Sequence, residues 1–230
     1  MATDGDRQSK AQAPALIHDE HAKAEREARN ALQQFDGAIA IVDEYVQEPA
    51  RKFSLRPSRI LQLHRFALDG LSAFAGNFRP ADVEIEGSDH EPVGAHVVPE
   101  LVEEMCDYIN ENWENKSAIH LAAYTMWRLN WIHPFDDGNG RTARMISYVV
   151  LCVRLGHQLP GHYTIPEQIA ENKTPYYEAL EQADRAFKDD RIDVSAVEDL
   201  LKNMLALQLA GILENASDGG TSHARDVKLH

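Results

Sequence analysis

The sequence predicts a mainly α fold with one small β element, and three observations support this prediction. Apolar residues recur at helical spacing along most of the chain. Residues suited to the first turn or N-cap of a helix stand where several of these patterns begin, as at Pro57, Pro99 and Ser117. Residues 76–98 instead alternate apolar with charged positions and are crowded with glycine and proline, which is typical of a short surface β-hairpin or flap.

The chain is expected to divide into five stretches. These are a disordered polar tail, an N-terminal helical extension, a core domain, a C-terminal helix and a second disordered tail, at 1–14, 15–55, 56–190, 191–215 and 216–230. Gly37 predicts a break that divides the N-terminal extension into two helices. The helix after Ser117 is apolar almost all round, so it is expected to be buried at the centre of the core.

Composition restricts the classes of function. The chain has 230 residues, 43% of them hydrophobic, and a formal net charge of −14. This acidity disfavours long-range attraction to nucleic acid or to an anionic membrane. The sequence has no apolar run of membrane-spanning length and no apolar stretch at its polar start, and Cys106 and Cys152 lie in apolar helical patterns as expected for buried thiols. A cytoplasmic protein is expected.

Residues 133–144, HPFDDGNGRTAR, form the most informative segment of the sequence. Gly138 and Gly140 give a short loop that leads into a helix, whose first N–H groups have no helical partner and favour an anion. Arg141 and Arg144 are three residues apart, so they share a helix face and can both reach phosphate oxygens. This pattern predicts a phosphate site within an acidic protein.

Two further side chains of this segment suit a transfer reaction. Asp137 offers one carboxylate, and Mg²⁺ commonly binds one carboxylate together with phosphate oxygens and waters. His133 stands at the entrance to the loop, where a neutral imidazole can take a proton from an attacking hydroxyl. An EF-hand is excluded by the spacing of the acidic residues, and a P-loop by the lack of Gly-Lys-Ser/Thr. An ordinary turn does not explain why His, Asp, two Gly and two Arg occur together.

This segment resembles the signature of the Fic (filamentation induced by cAMP) family, His-x-Phe-x-Asp/Glu-Gly-Asn-Gly-Arg-x-x-Arg, at every defined position. The similarity extends from about residue 56 to 188 and includes LHRFALDGL, AGNFRP and the flap-like VEIEGSDHEP. The resemblance implies a helical bundle with a small β-hairpin flap that holds a target main chain by β-augmentation. It also implies transfer of AMP from Mg·ATP to a Ser, Thr or Tyr hydroxyl of a protein, with release of pyrophosphate.

The resemblance assigns roles by position. It implies that His133 is the base and that Asp137 holds Mg²⁺. The expected phosphate-binding residues are Gly138, Asn139, Gly140, Arg141 and Arg144. ENKTPYYEAL resembles the stretch near the adenine, which makes Tyr176 and Tyr177 candidates there.

Many Fic proteins are restrained by a helix that carries Ser/Thr-x-x-x-Glu-Gly/Asn, and its glutamate occupies the second motif arginine. No full match occurs here, because Ala210 precedes Glu214-Asn215 where Ser or Thr belongs. We hypothesise that Glu27 or Glu214 supplies this carboxylate from a terminal helix. Restraint by a separate, antitoxin-like protein remains an alternative, and a homo-oligomer is also possible on the sequence alone.

Two other functions remain open on the sequence alone. A kinase-like Fic relative would transfer the γ-phosphate, but such relatives carry Lys where Gly140 stands. A nucleotide-binding or protein-interaction module with little turnover would need neither His133 nor Asp137. The expected partners are therefore ATP and an unidentified target protein.

Overall fold

The computed structural model of this chain describes residues 7, 9–10, 16–48, 50–161 and 163–221, and the side chains of all of these except 10 and 211–221. Eight α-helices, one 3-10 turn at Ala95–Val97 and two short strands occur in this described part. In chain order the α-helices and strands are β1 (Ser9–Lys10), α1 (Glu20–Val46), α2 (Pro57–Leu68), β2 (Glu84–Ile85), α3 (Val98–Glu111), α4 (Ala118–Ile132), α5 (Asn139–Leu155), α6 (Ile165–Glu171), α7 (Thr174–Lys188) and α8 (Ser195–Thr221).

Helix α4 lies at the centre of the bundle, as its apolar composition predicts. Leu121, Met126 and Leu129 are fully buried although they point in different directions around the helix. Helix α5 packs along α4, while α3, α7 and α8 contact α4 and α1, α2 and α6 contact α5. The mainly α fold class is thereby confirmed, and the loop between the two central helices is surrounded by the rest of the bundle.

The predicted break at Gly37 is wrong, because α1 continues through it from Glu20 to Val46. Gly37 faces α2, and a Cβ atom there would lie 2.6 Å from the ring of Phe66. The missing side chain therefore allows two helices to approach closely. Asn30 and Gln34 strengthen the same contact, since their buried amides donate to main-chain oxygens at the end of and within α2.

The flap differs from the expected hairpin. Within residues 76–98 the structure has one two-residue strand, β2, and its antiparallel partner is β1 from the N-terminal region, with Ser9 opposite Ile85 and Lys10 opposite Glu84. The disordered tail expected at 1–14 is therefore incorrect for Ser9–Lys10, while residues 1–6, 8 and 11–14 lie outside the described part. The sequence signal of residues 76–98 indicated a strand but not where its partner lies.

Helices α2, α3 and α4 begin within one residue of the start signals at Pro57, Pro99 and Ser117. The Ser117 hydroxyl caps α4 by accepting the His120 N–H at 3.0 Å. Helix α8 continues to Thr221 instead of ending at 215, and the side chain of Glu214 lies outside the described part. Cys106 and Cys152 are buried and free, as expected. In the described residues no helix is long and apolar enough to cross a membrane.

Candidate active site

The loop between α4 and α5 is closed by a buried asparagine. The Asn139 side chain accepts the Phe135 N–H and donates to the Phe135 carbonyl, both at 2.9 Å. Phe135 is fully buried and Asn139 is only 3% exposed. These two bonds satisfy main-chain groups that water cannot reach, so the loop has a defined shape before any ligand binds.

Gly138 allows this loop to lie against α2. Its φ is 75°, in the left-handed region, and a Cβ atom would lie 2.3 Å from the Leu68 side chain. Both the backbone conformation and the close contact therefore require glycine here. The peptide after Gly138 begins α5, so the glycine also fixes where the first N–H groups of that helix point.

His64, on α2, forms a hydrogen bond that fixes the main chain of the loop between α4 and α5. Its Nδ1 accepts the Gly76 N–H at 3.0 Å, which leaves Nε2 to donate to the Asp137 carbonyl at 3.1 Å. The ring stacks on Phe135 with centroids 3.7 Å apart, and burial lowers the pKa of His64 to about 4. The imidazole is therefore neutral at pH 7, in a single tautomer that orients the loop.

His133 is oriented in the tautomer that a general base requires. Its Nδ1 donates to the Asn130 carbonyl at 3.4 Å, so the lone pair of Nε2 faces the Ser9 hydroxyl at 2.8 Å. The side chain is 8% exposed, and burial lowers its pKa to about 4. At physiological pH the imidazole is therefore neutral, and its Nε2 can accept a proton. Its backbone has a φ of 54°, which turns the chain sharply at the end of α4.

All nine residues singled out in the sequence line one cavity of about 620 Å³. They are His133, Asp137, Gly138, Asn139, Gly140, Arg141, Arg144, Tyr176 and Tyr177. The first seven come from the loop and the start of α5, and the two tyrosines come from the start of α7. The cavity is also lined by the flap, β1 and α1, so elements distant in sequence enclose the motif.

Two arginines at the start of α5, Arg141 and Arg144, line the cavity, although the chain as a whole is acidic. Arg141 lies 3.1 Å from the Asp137 carboxylate, which is largely exposed to the cavity mouth. Among the described residues no carboxylate forms an ion pair with Arg144, which lies over Gly140 at the first turn of α5. A fixed cation beside a helix N-terminus can bind an anion through charge and N–H groups together.

The two tyrosines of α7 lie in different environments. Tyr176 is buried, its hydroxyl has no hydrogen-bond partner among the described residues, and burial raises its pKa to about 12. This hydroxyl keeps its proton and can donate to a ligand in the cavity. Tyr177 is half-buried, and the Arg7 guanidinium lies 4.3 Å from its ring centroid. The ring face that could stack on a base is therefore covered by Arg7.

Comparison with known proteins identifies the domain. Residues 54–151 match the model of the Fic/DOC family. The chain contains a Fic domain. Its relatives include proteins named protein adenylyltransferase Fic, such as that of Drosophila mojavensis, 32% identical over 188 residues. That of Drosophila persimilis is 32% identical over 163 residues. These matches cover 74% and 69% of this chain but 35% and 30% of the relatives, so the chain spans about a third of their length.

Solved structures support the same fold. A Fic domain-containing signaling protein from Bacteroides thetaiotaomicron aligns with a TM-score of 0.60 at 21% identity, over 79% of this chain and 69% of that one. Fic-1 of C. elegans (residues 134–508) aligns with a TM-score of 0.59 at 24% identity, over 81% and 52%. At these identities the likeness concerns the fold of the Fic domain alone.

Three residues of this Fic domain site were missed by the sequence reasoning. His64 lies on the apolar face of α2, and a histidine at such a position was the only signal that the sequence offered. Arg79, 3% exposed, donates to the carbonyls of His133, Ala81 and Val93 and so joins loop to flap. Ser9 lies in a polar stretch that has no distinguishing pattern.

Proposed function

We propose that this protein is an adenylyltransferase that moves AMP from ATP to a hydroxyl of a protein. The observation that carries the proposal is the convergence, in one cavity, of the His133 Nε2 acceptor with the N-terminus of α5 and two arginines. A base and an anion site facing the same space are the two requirements of attack on phosphorus. The names of the relatives support the same reaction class.

The chemistry follows from the position of His133. A hydroxyl oxygen beside Nε2 attacks the α-phosphorus of ATP, and its proton passes to Nε2. The new oxygen–phosphorus bond replaces the bond to the β-phosphate oxygen, so pyrophosphate leaves with the electron pair. Arg141, Arg144 and the N–H groups at the start of α5 hold the phosphates in line and offset their charge. The low pKa of His133 keeps the base unprotonated before each turnover.

The residues present fit a magnesium ion that is bound mainly by ATP. Asp137 presents its carboxylate at the cavity mouth, beside the cationic end where the phosphates would lie. The described part of the chain holds no cluster of three or more ligating side chains, and Mg²⁺ bound to phosphates and waters needs only one carboxylate. Such an ion would offset charge on the phosphate oxygens. Asp137 would therefore orient the nucleotide complex, and the buried Tyr176 hydroxyl can donate to it within the same cavity.

Labelled ATP distinguishes this function from its alternatives. Incubation of the purified protein with cell lysate and α-labelled ATP should place label on protein, whereas His133→Ala should not. Transfer of a γ-label instead would indicate a kinase-like enzyme, and binding without transfer would indicate a binding module. Either of those outcomes would refute the proposal.

The role of Asp137 has a separate test. Asp137→Ala should lower both Mg²⁺-dependent ATP binding and transfer, because the exposed carboxylate would no longer meet the ion. Nucleotide affinity is measured by titration with and without Mg²⁺. Asp136→Asn is an informative comparison, since Asp136 is buried and accepts from the Ser72 hydroxyl at 2.7 Å, whereas the Asp137 carboxylate is largely exposed. An Asp137→Ala protein with unchanged Mg²⁺ dependence would remove Asp137 from the metal site.

A further inference from the structure

Residues 7 and 9–10, the described part of the N-terminal segment, lie at the place where an acceptor hydroxyl must be. The short strand Ser9–Lys10 pairs antiparallel with Glu84–Ile85, so the main chain of the N-terminal segment is held by the flap. Register fixes which side chain faces the cavity, because alternate residues of a strand point to opposite sides. Ser9 is the residue opposite Ile85, and both line the cavity.

The Ser9 hydroxyl has the geometry of a reacting group. Its Oγ lies 2.8 Å from His133 Nε2, within the range for proton transfer to a base. The tautomer of His133 leaves that nitrogen as an acceptor, so the hydroxyl proton points along the path that transfer requires. The Asn139 amide lies 3.4 Å from the same oxygen, which places Ser9 directly at the loop that precedes the anion site.

A second anchor fixes the segment on the other side of Ser9. Arg7 pairs with Glu181 and stacks on Tyr177, both on α7, and its main-chain N–H reaches the Tyr177 hydroxyl at 3.4 Å. The Arg7 side chain is 19% exposed and that of Glu181 is 44% exposed, so the ion pair is partly shielded from water. The segment is thus held by α7 before Ser9 and by the flap after it, and these two anchors leave Ser9 little freedom of position.

We infer that Ser9 is an AMP acceptor within its own chain, a deduction that rests on the proposed adenylyl transfer. In this step the Ser9 Oγ bonds to the α-phosphorus of ATP, its proton moves to His133 Nε2, and pyrophosphate departs with the electrons of the broken bond. AMP-Ser9 is the product. While unmodified, the same segment occupies the position that any other acceptor hydroxyl would need, so modification of other proteins competes with it.

The full-length protein with Mg·ATP provides the test. Intact-mass and peptide mass spectrometry should find one AMP per chain on the peptide that contains Ser9, and both Ser9→Ala and His133→Ala should lose it. Ser9→Thr should retain a measurable fraction, since it keeps a hydroxyl. Ser58→Ala, which removes an exposed hydroxyl on α2, is the matched control and should label like the parent. The labelled fraction should be independent of protein concentration, as expected for reaction within one chain.

The outcomes separate this inference from the proposed function. His133-dependent label that persists on this chain in Ser9→Ala, or that the parent protein places only on lysate proteins, would overturn the Ser9 assignment and leave the transfer activity in place. If the protein transfers no α-label in a His133-dependent way, both the Ser9 assignment and the proposed transfer activity are overturned. Increased labelling of lysate proteins by Ser9→Ala, together with loss of self-label, would support the competition described above. Weaker self-labelling by Arg7→Ala would support the role of the anchor on α7.

Discussion

The loop that carries the motif and the flap that faces it are built in opposite ways. The loop is buried, and its shape is fixed by Asn139, Gly138 and His64 through short-range contacts. The flap has one two-residue strand, exposed side chains at Glu84 and Glu86, and a deeply buried polar anchor, Arg79. In the proposed reaction the groups that would act on ATP are preorganised, whereas an acceptor would be recognised mainly through main-chain pairing that many sequences can satisfy.

Removal of the base should produce the largest effect. His133→Ala is expected to lower transfer by roughly 10²–10⁴-fold, because the proton of the attacking hydroxyl loses its acceptor. ATP affinity should change little, since the phosphate contacts come from other residues. Single-turnover transfer and nucleotide titration measure the two quantities. Equal losses of rate and affinity would mean that His133 supports binding and not the proton transfer.

Displacement of the loop should come next. In Gly138→Ala the added Cβ would collide with Leu68, so we expect the loop to shift and transfer to fall by about tenfold or more. Gly156→Ala is the matched control: its φ is 80° but no atom lies within 4 Å of the added Cβ. Both variants should lose about 1 kcal/mol of unfolding free energy from backbone strain. Equal rates for the two would contradict a steric role for Gly138.

Removal of the Glu27 carboxylate should have a smaller effect, and it should raise transfer where the two changes above lower it. Glu27 on α1 is half-buried and lines the cavity with Arg144, although no ion pair joins them among the described contacts. We predict that Glu27→Ala raises labelling by roughly tenfold, equivalent to about 1.4 kcal/mol, because its charge disfavours the phosphates.

The exposed Glu25 of the same helix supplies the control for Glu27. Glu25→Ala removes an equal charge from α1, but Glu25 does not line the cavity. A rise in labelling for both variants would indicate a general charge effect. If neither variant raises labelling, Glu27 does not restrain the site, and any restraint comes from another group.

Acid should lower the stability of the protein through two buried histidines of the site. The pKa values of His64 and His133 are both lowered to about 4, from an ordinary value near 6.5. Between these values the unfolded chain binds protons that the folded chain does not, so the free energy of unfolding falls as pH decreases from about 6.5 to about 4.

His64→Gln tests this acid dependence, since glutamine can both donate and accept but does not titrate. Its stability should decline less between about pH 7.5 and about pH 5, by on the order of 1–2 kcal/mol. Urea unfolding at the two pH values measures the difference. The same pH dependence in parent and variant would place the titration elsewhere.

The candidate site was predictable from sequence to the extent that it is local. His133 to Arg144 are contiguous, and a loop that enters a helix fixes their arrangement within a few residues. The start of α4 was equally predictable, because the Ser117 cap acts over three residues. The pairing of Ser9–Lys10 with Glu84–Ile85 was not, since a two-residue strand leaves no periodicity and its partner lies far along the chain.

Gly37 and His64 show a second reason why the role of a residue cannot be predicted from the sequence alone. Local propensity reads a glycine in a helix as a break, but the approach of Phe66 gives the glycine a tertiary role that propensity does not contain. His64 resembles any buried histidine in sequence, and only the Gly76 and Asp137 main-chain groups that converge on it define its function. The roles of both residues are set by contacts between segments that are distant in the sequence.

The close contact between α1 and α2 has a mechanical consequence. Gly37 sits against Phe66, and Asn30 and Gln34 lock the two helices through buried amide bonds. Helix α1 is therefore held rigidly against α2 and does not move as a separate unit. Any control exerted through Glu27 must then work by rotation of one side chain about its own bonds, on the nanosecond scale of rotamer exchange, and would require no swing of the helix.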